Sequence, residues 1–326
     1  MIDLIKAYSI KSSRIEEYIN SSPEMVKITK KTYNLDDNPI KNEKDNLNDT
    51  FLKKETQLFN LNLKITNSNR EYIENSLHTF FNSVIKDECQ NYDDFHFCDL
   101  VCSINILEEI LNVNLEEFPL QNLEIGFNID IGSCPTQFLE ENLLMYKLKE
   151  PCVNQKNDKT LKQKVFIYQN YKFKIYDKSL ESKIRILNPN ILRIEIKYLT
   201  SKEFNKFHIY NIGDLRDLNK LNMLFDDFMK KFEELTIVDA YKGNNNTSRT
   251  DKSNLIQFTN PNYWIDTRNN RTANTMSNRK KKFEKILIAN NLLTTKNRIR
   301  ELIIEKHDYL ANPNCTEDII NESLIA

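Results

Sequence analysis

Lys172-Phe173-Lys174-Ile175-Tyr176-Asp177-Lys178 and, further on, Leu192-Arg193-Ile194-Glu195-Ile196-Lys197-Tyr198 decide how this chain folds. In the first run Phe173 and Ile175 point one way, and Lys172, Lys174, Tyr176 and Lys178 the other. In the second, the same division leaves Arg193, Glu195 and Lys197 together. A period of two marks a strand with one buried face. Upstream, Leu123-Glu124-Ile125-Gly126-Phe127-Asn128-Ile129-Asp130 repeats the pattern, apolar at odd positions and Glu, Gly, Asn and Asp at even ones. The polar side of these strands holds carboxylates, lysines and a tyrosine where Ser and Thr are usual.

Working outward, Ile15–Ile19 reads as a short helix, and Asn42–Asp49, rich in Asn, Asp and Lys, as an exposed loop. Leu58–Ile65 alternates and predicts a strand. Ser68-Asn69-Arg70-Glu71 has the spacing of a capping box, so a helix is expected to carry Ile73, Leu77, Phe80, Phe81 and Val84 inward. Further helices are predicted at Asp94–Leu111, Pro135–Leu148, Leu215–Leu235, Lys281–Asn290 and Lys296–Leu310, and strands at Phe166–Tyr176, Ile191–Tyr198 and Leu255–Phe258. Gly243–Asn254 reads as a surface loop. The expected fold is α+β, a mixed and mainly antiparallel sheet covered by helices on one face, with a helical C-terminal extension. The expected division is an N-terminal lobe over 1–115, a central domain over 116–242 and a basic extension over 243–326.

With 326 residues, 40% apolar and 29% charged, the composition is that of a globular chain. A net charge of −1 excludes a global basic field, so nucleic-acid binding must rest on local clusters such as Arg279-Lys280-Lys281-Lys282. That run serves equally well as a solvated face. Cys89, Cys98, Cys102, Cys134, Cys152 and Cys315 follow no framework spacing and are expected to be reduced, in a cytoplasmic protein. No run approaches the roughly 18 apolar residues of a membrane span, so no membrane partner is expected.

If the three alternating strands are neighbours, their polar face gathers Glu124, Asn128, Lys174, Tyr176, Lys178, Arg193 and Glu195. Two carboxylates and an amide oxygen suit a hard divalent ion such as Mg²⁺ or Mn²⁺. A tyrosine beside them is a nucleophile if a base or cation assists it. Lysines and Arg193 can hold phosphates. Cross-strand Glu–Lys pairs on a solvated face account for the same residues without any catalysis. Spacing does not separate the two.

The segments resemble the core of rolling-circle replication initiators of small plasmids and single-stranded-DNA phages. In the trans-acting plasmid type, a Leu-acid-Leu-x-Phe-Asp strand precedes an aromatic-basic strand ending Ile-Tyr-Asn/Asp-Lys with a following Glu, then an Arg-Val/Ile-Glu strand. Here they read Leu123-Glu124-Ile125-Gly126-Phe127-Asn128, Lys174-Ile175-Tyr176-Asp177-Lys178 with Glu181, and Leu192-Arg193-Ile194-Glu195-Ile196. Asn260-Pro261-Asn262-Tyr263-Trp264 and the basic tail resemble phage-type relatives less specifically. Asn128 replaces a second Asp of the pattern, and no His-x-His pair is present.

The resemblance implies a metal-dependent DNA nickase in which Tyr176, with Lys178 beside it, forms a 5′-phosphotyrosine and frees a 3′-hydroxyl for a polymerase. It implies metal ligation by Glu124, Glu195 and Asn128, with Glu181 a lesser candidate. Lys174 and Arg193 would hold the strand, and Arg279–Lys282 would grip duplex or hairpin origin DNA. Expected partners are the origin and a host helicase and polymerase. The competing class is a non-catalytic DNA-binding accessory or copy-number regulator, and a third is a structural protein whose polar face meets only solvent.

Overall fold

The structure, a computed structural model, describes residues 1–10, 14–21, 27–33, 48–66, 68–152, 162–183, 188–243 and 247–312. The Asn42–Asp49 loop expectation falls mostly outside them. The N-terminal half comprises β1 (Ile2–Ser9), α1 (Arg14–Ser21), β2 (Lys27–Tyr33), β3 (Asn48–Leu58), β4 (Leu61–Thr66), β5 (Glu71–Ser76), α2 (Leu77–Ile85) and α3 (Phe97–Leu111). The centre holds β6 (Leu120–Asp130), α4 (Pro135–Glu141), β7 (Leu143–Tyr146), β8 (Gln163–Ile167), β9 (Tyr171–Asp177), α5 (Lys178–Glu181) and β10 (Ile191–Tyr198). Then come α6 (Lys202–Asn205), α7 (Leu218–Glu233), β11 (Leu235–Ile237), α8 (Arg249–Phe258), α9 (Pro261–Asn270), α10 (Ala273–Ala289) and α11 (Thr294–Leu310).

One nine-stranded sheet runs β2-β3-β4-β5-β1-β6-β10-β9-β8, and β7 pairs separately with β11. Each pairing among the described residues is antiparallel. The three alternating segments are adjacent: Ile194 faces both Phe127 and Ile175, and Arg193 faces both Asn128 and Tyr176. Their apolar side is sealed by helices, with Phe127 packed edge-on against Phe225 and Phe228 of α7 at 5.6 and 5.1 Å. Tyr171, out of phase with Tyr176, lies on this side, its hydroxyl bonded to Tyr146 and Lys231 of α7 over its ring. The α+β architecture, a helix-covered antiparallel sheet with C-terminal helices, is the expected one.

Its internal divisions differ from expectation. β1 lies between β5 and β6, so the sheet passes unbroken across residue 115. Glu71–Ser76 is a strand, because pairing with both β1 and β4 outweighs the local capping pattern. Ser76 caps α2 instead, accepting from the Thr79 amide, while Glu71 accepts from the backbone of Glu16 in α1. Leu58–Ile65 breaks into a hairpin at Phe59, whose φ is +52°. Tyr168–Asn170 likewise divides Phe166–Tyr176 into β8 and β9. Leu143–Tyr146 leaves the expected Pro135–Leu148 helix to pair with β11.

Leu255–Phe258 ends a helix rather than forming a strand, and α8 begins within the segment expected to be loop. Asn260 and Pro261 start α9, seating Trp264 at full burial with its indole N–H donating to the Phe258 carbonyl. Helices α8–α10 share a small second core with Met145, Leu148 and Val238, whereas α11 returns to the main core through Ile299, Ile303 and Leu310. Cys89, Cys102, Cys134 and Cys152 are free thiols, but Cys98 is disulfide-bonded, a pairing that spacing did not foretell. Among the described residues no helix is long and apolar enough to cross a membrane.

Candidate active site on the polar sheet face

Strand register alone puts Glu124, Gly126 and Asn128 of β6, Arg193, Glu195 and Lys197 of β10, and Lys172, Lys174 and Tyr176 of β9 on one surface. Arg193 is its electrostatic hub. Its Nε donates to Glu195 Oε2 at 2.6 Å, Nη1 to Asn128 Oδ1 at 3.0 Å and Nη2 to Asp3 Oδ2 at 2.5 Å. Asp3 comes from the bulged start of β1, where the Ser76 hydroxyl and the Asn91 amide also donate to it. Burial alone would raise the Asp3 carboxyl, but Arg193 and Ser76 hold it below the ordinary range. The loop between α2 and α3 closes this end, Asn128 donating to the carbonyls of Asn91 and Tyr92.

Tyr176 donates its hydroxyl proton to Glu195 Oε2 at 3.3 Å, and Lys174 Nζ takes Glu195 Oε1 at 2.6 Å while sitting 4.5 Å from the Tyr176 ring centroid. Tyr176 and Glu195, 5% and 3% exposed, line a cavity of about 570 Å³ with Asp3, Glu124, Lys172, Lys174 and Lys197. Burial pushes the Tyr176 hydroxyl well above its ordinary pKa, and Glu195 adds to this against the pull of Arg193. Lys178 is buried behind Tyr176, its ammonium given to Asn91 Oδ1 and Glu181 Oε2 at 2.8 and 2.7 Å, and burial lowers its pKa. It props the end of β9 and does not line the cavity.

Two expected roles therefore change. Arg193, 3% exposed with its guanidinium turned to Asp3, Asn128 and Glu195, is buried away from a DNA phosphate. Glu124, Glu195 and Asn128 share a face, but the oxygens of Asn128 and Glu195 already receive Arg193, and Glu195 receives Lys174 as well. A guanidinium thus stands where Asn128 and Glu195 converge, and among the described residues no three His, Cys, Asp or Glu side chains form a metal-binding group. As arranged, the set does not fit Mg²⁺ or Mn²⁺. Arg279, Lys280, Lys281 and Lys282 lie on α10, which packs into the second core through Phe283, Ile286 and Leu287, and none of them lines the cavity with Tyr176. Arg279 is engaged with Thr267 and the Tyr263 ring, while the three lysines are exposed.

Gly126 is a site residue that side-chain chemistry gives no reason to notice. A Cβ there would lie 2.9 Å from Glu195 Cβ and 3.3 Å from Arg193 Nη2, so only glycine lets the hub close over β6. Gly126→Ala is expected to cost about 1–3 kcal/mol in denaturant unfolding, as overpacking does. Asp3 is foreshadowed only by the weak alternation of Ile5-Lys6-Ala7-Tyr8 on its strand, and no pattern in the sequence marks Ser76 or Asn91.

Glu124 makes no hydrogen bond or ion pair among the described residues. Burial first, then the charges of Glu195 and Asp3, raise its carboxyl from 4.5 to about 8. Unfolded, Glu124 ionises above 4.5, while the folded protein keeps its proton to about 8. Its contribution to stability is therefore complete below pH 4.5 and is lost as pH climbs to 8, at up to about 1.4 kcal/mol per unit. Glu124→Gln is expected to flatten that slope and to be more stable than wild type at pH 8 in urea titrations. Parallel curves for the two proteins would mean Glu124 is already ionised in the fold.

No family model matches this chain, and no curated protein is significantly similar to it.

Proposed function

We propose that this chain is a DNA strand nickase that starts rolling-circle replication of a plasmid or phage, with Tyr176 as nucleophile. The observation that carries the reading is a tyrosine hydroxyl bonded to a carboxylate at a cavity lined by Lys172, Lys174 and Lys197. Tyr176 Oη attacks phosphorus, its proton passes to Glu195 Oε2, and the P–O3′ bond breaks. The neutral carboxyl of Glu124 gives its proton to the departing 3′-oxygen. Lys174 stabilises the charge that builds on the phosphoryl oxygens. The product is a 5′-phosphotyrosine and a free 3′-hydroxyl, the primer that a host polymerase extends once a helicase opens the duplex. No step is assigned to a metal ion.

One observation favours the non-catalytic class, a DNA-binding accessory or copy-number regulator on the same scaffold. Burial strengthens the hold of Tyr176 on its proton, which opposes attack. The two readings part on a covalent adduct. The full chain is incubated with a 3′-labelled pool of hairpin oligonucleotides with randomised loops, with and without Mg²⁺ or Mn²⁺. The nickase gives a labelled protein band that survives denaturation, with the modified peptide containing Tyr176. DNA binding without an adduct under either condition selects the non-catalytic reading.

A further inference from the structure

Beyond the cavity the same sheet face continues over β1, β5 and β4. Lys6 is in register with Asn122, two residues from Glu124, and Tyr8 alternates with Lys6 and stands opposite Tyr72. The two rings are 6.0 Å apart and tilted by 33°. Arg70 lies over Tyr8 at 5.6 Å and Lys6 over Tyr72 at 5.4 Å. An aromatic cross-strand pair stabilises a sheet on its own. What packing does not explain is the surrounding charge. Lys6 and Lys64 are paired with Glu74, but the side chains of Arg70, Lys172 and Lys197 make no ion pair or hydrogen bond among the described residues. In a chain of net charge −1, these unmatched cations are left on the face that holds the two rings and the cavity.

We propose that this face is a binding platform for single-stranded DNA, with bases stacked on Tyr8 and Tyr72 and phosphates held by Arg70, Lys172 and Lys197. Aromatic rings interleaved with cations bind single strands with little sequence preference, since every base offers a π-face. Duplex DNA buries its base faces and gains nothing from the rings. From β5 to β9 the platform crosses four strand spacings, about 19 Å, the reach of a few nucleotides. Lys197 and Lys172 lie between the rings and Tyr176, so a strand stacked on β1 and β5 is led to the nucleophile. The choice of DNA over RNA rests on the nickase reading; the single-strand preference rests on the rings.

The test is fluorescence anisotropy of the full chain with labelled oligothymidylate, oligouridylate of the same length and a DNA duplex, over a salt series. The platform predicts that Tyr8→Leu/Tyr72→Leu weakens oligothymidylate binding about 10-fold or more, with a smaller change for duplex. Tyr8→Phe/Tyr72→Phe, which keeps the rings, retains affinity. Neutralising Arg70, Lys172 and Lys197 together with Gln lowers the slope of log K against log salt by about 2. Unchanged single-strand affinity in the folded Leu variant, judged by its thermal melt, overturns the proposal, as does tighter binding of oligouridylate than of oligothymidylate. Failure of the nickase reading is seen separately. A wild-type protein that forms no adduct, while its Leu variant still loses single-strand affinity, loses the chemistry and keeps the platform.

Discussion

Arg193→Met is expected to destabilise the protein by about 3–5 kcal/mol, the largest stability loss of any single change at this site. Methionine fills much of the same volume, so the cost is not a cavity. It lies in what is left behind: Asp3, Glu195 and Asn128 each lose a donor in a place water barely reaches, with Arg193 itself only 3% exposed. A buried ion pair adds little net stability when whole, because desolvating both partners offsets their attraction. Removing one partner alone exposes the full penalty. Adding Asp3→Asn to Arg193→Met should therefore recover part of the loss, since the second change removes a charge the first has stranded. Urea unfolding of the two single variants and the double gives the coupling directly. Strictly additive losses would mean that Arg193 and Asp3 do not depend on each other.

The hub also shows where sequence reading reached its limit. Alternation in Leu123–Asp130, Lys172–Lys178 and Leu192–Tyr198 gave adjacency and side correctly, because each run divides cleanly into apolar and polar positions. Register then brought Tyr176, Glu195 and Lys174 together as expected. The pattern does not say whether a polar position faces water or a neighbour. Arg193 reads like Lys172, yet one is a buried hub and the other exposed. The difference is made by Asp3, 190 positions away in the chain, and by Asn91, whose loop caps the sheet end. Neither belongs to an amphipathic run long enough to stand out. Lys178 was misplaced for a related reason: β9 ends at Asp177, whose side chain caps the one-turn α5, so alternation stops one residue early. The hairpins within Leu58–Ile65 and Phe166–Tyr176 were hidden because neither turn uses glycine or proline. The strand over Glu71–Ser76 was hidden by a local capping pattern that pairing on both sides overrode.

Tyr176→Phe separates structure from chemistry more cleanly than any other change. Among the described residues the phenol makes one hydrogen bond, to a carboxylate already held by Arg193 and Lys174, so its loss should cost only about 0.5–1.5 kcal/mol. The ring stays, with Lys174 still above it at 4.5 Å, and Glu195 keeps its two cationic partners. Folding, thermal stability and single-strand affinity should therefore be close to wild type. If Tyr176 is the nucleophile, adduct formation falls by at least about 10³-fold, because phenylalanine has no oxygen to bond to phosphorus. Tyr171 is not a substitute: it lies on the opposite side of β9 with its hydroxyl bonded to Tyr146. Glu195→Gln offers the complementary result. It keeps a hydrogen-bond acceptor for Tyr176 but not a base, so nicking should fall while the hydroxyl remains. A Tyr176→Phe protein that still becomes covalently attached to DNA would remove this tyrosine from the chemistry and move the search to another hydroxyl of the chain.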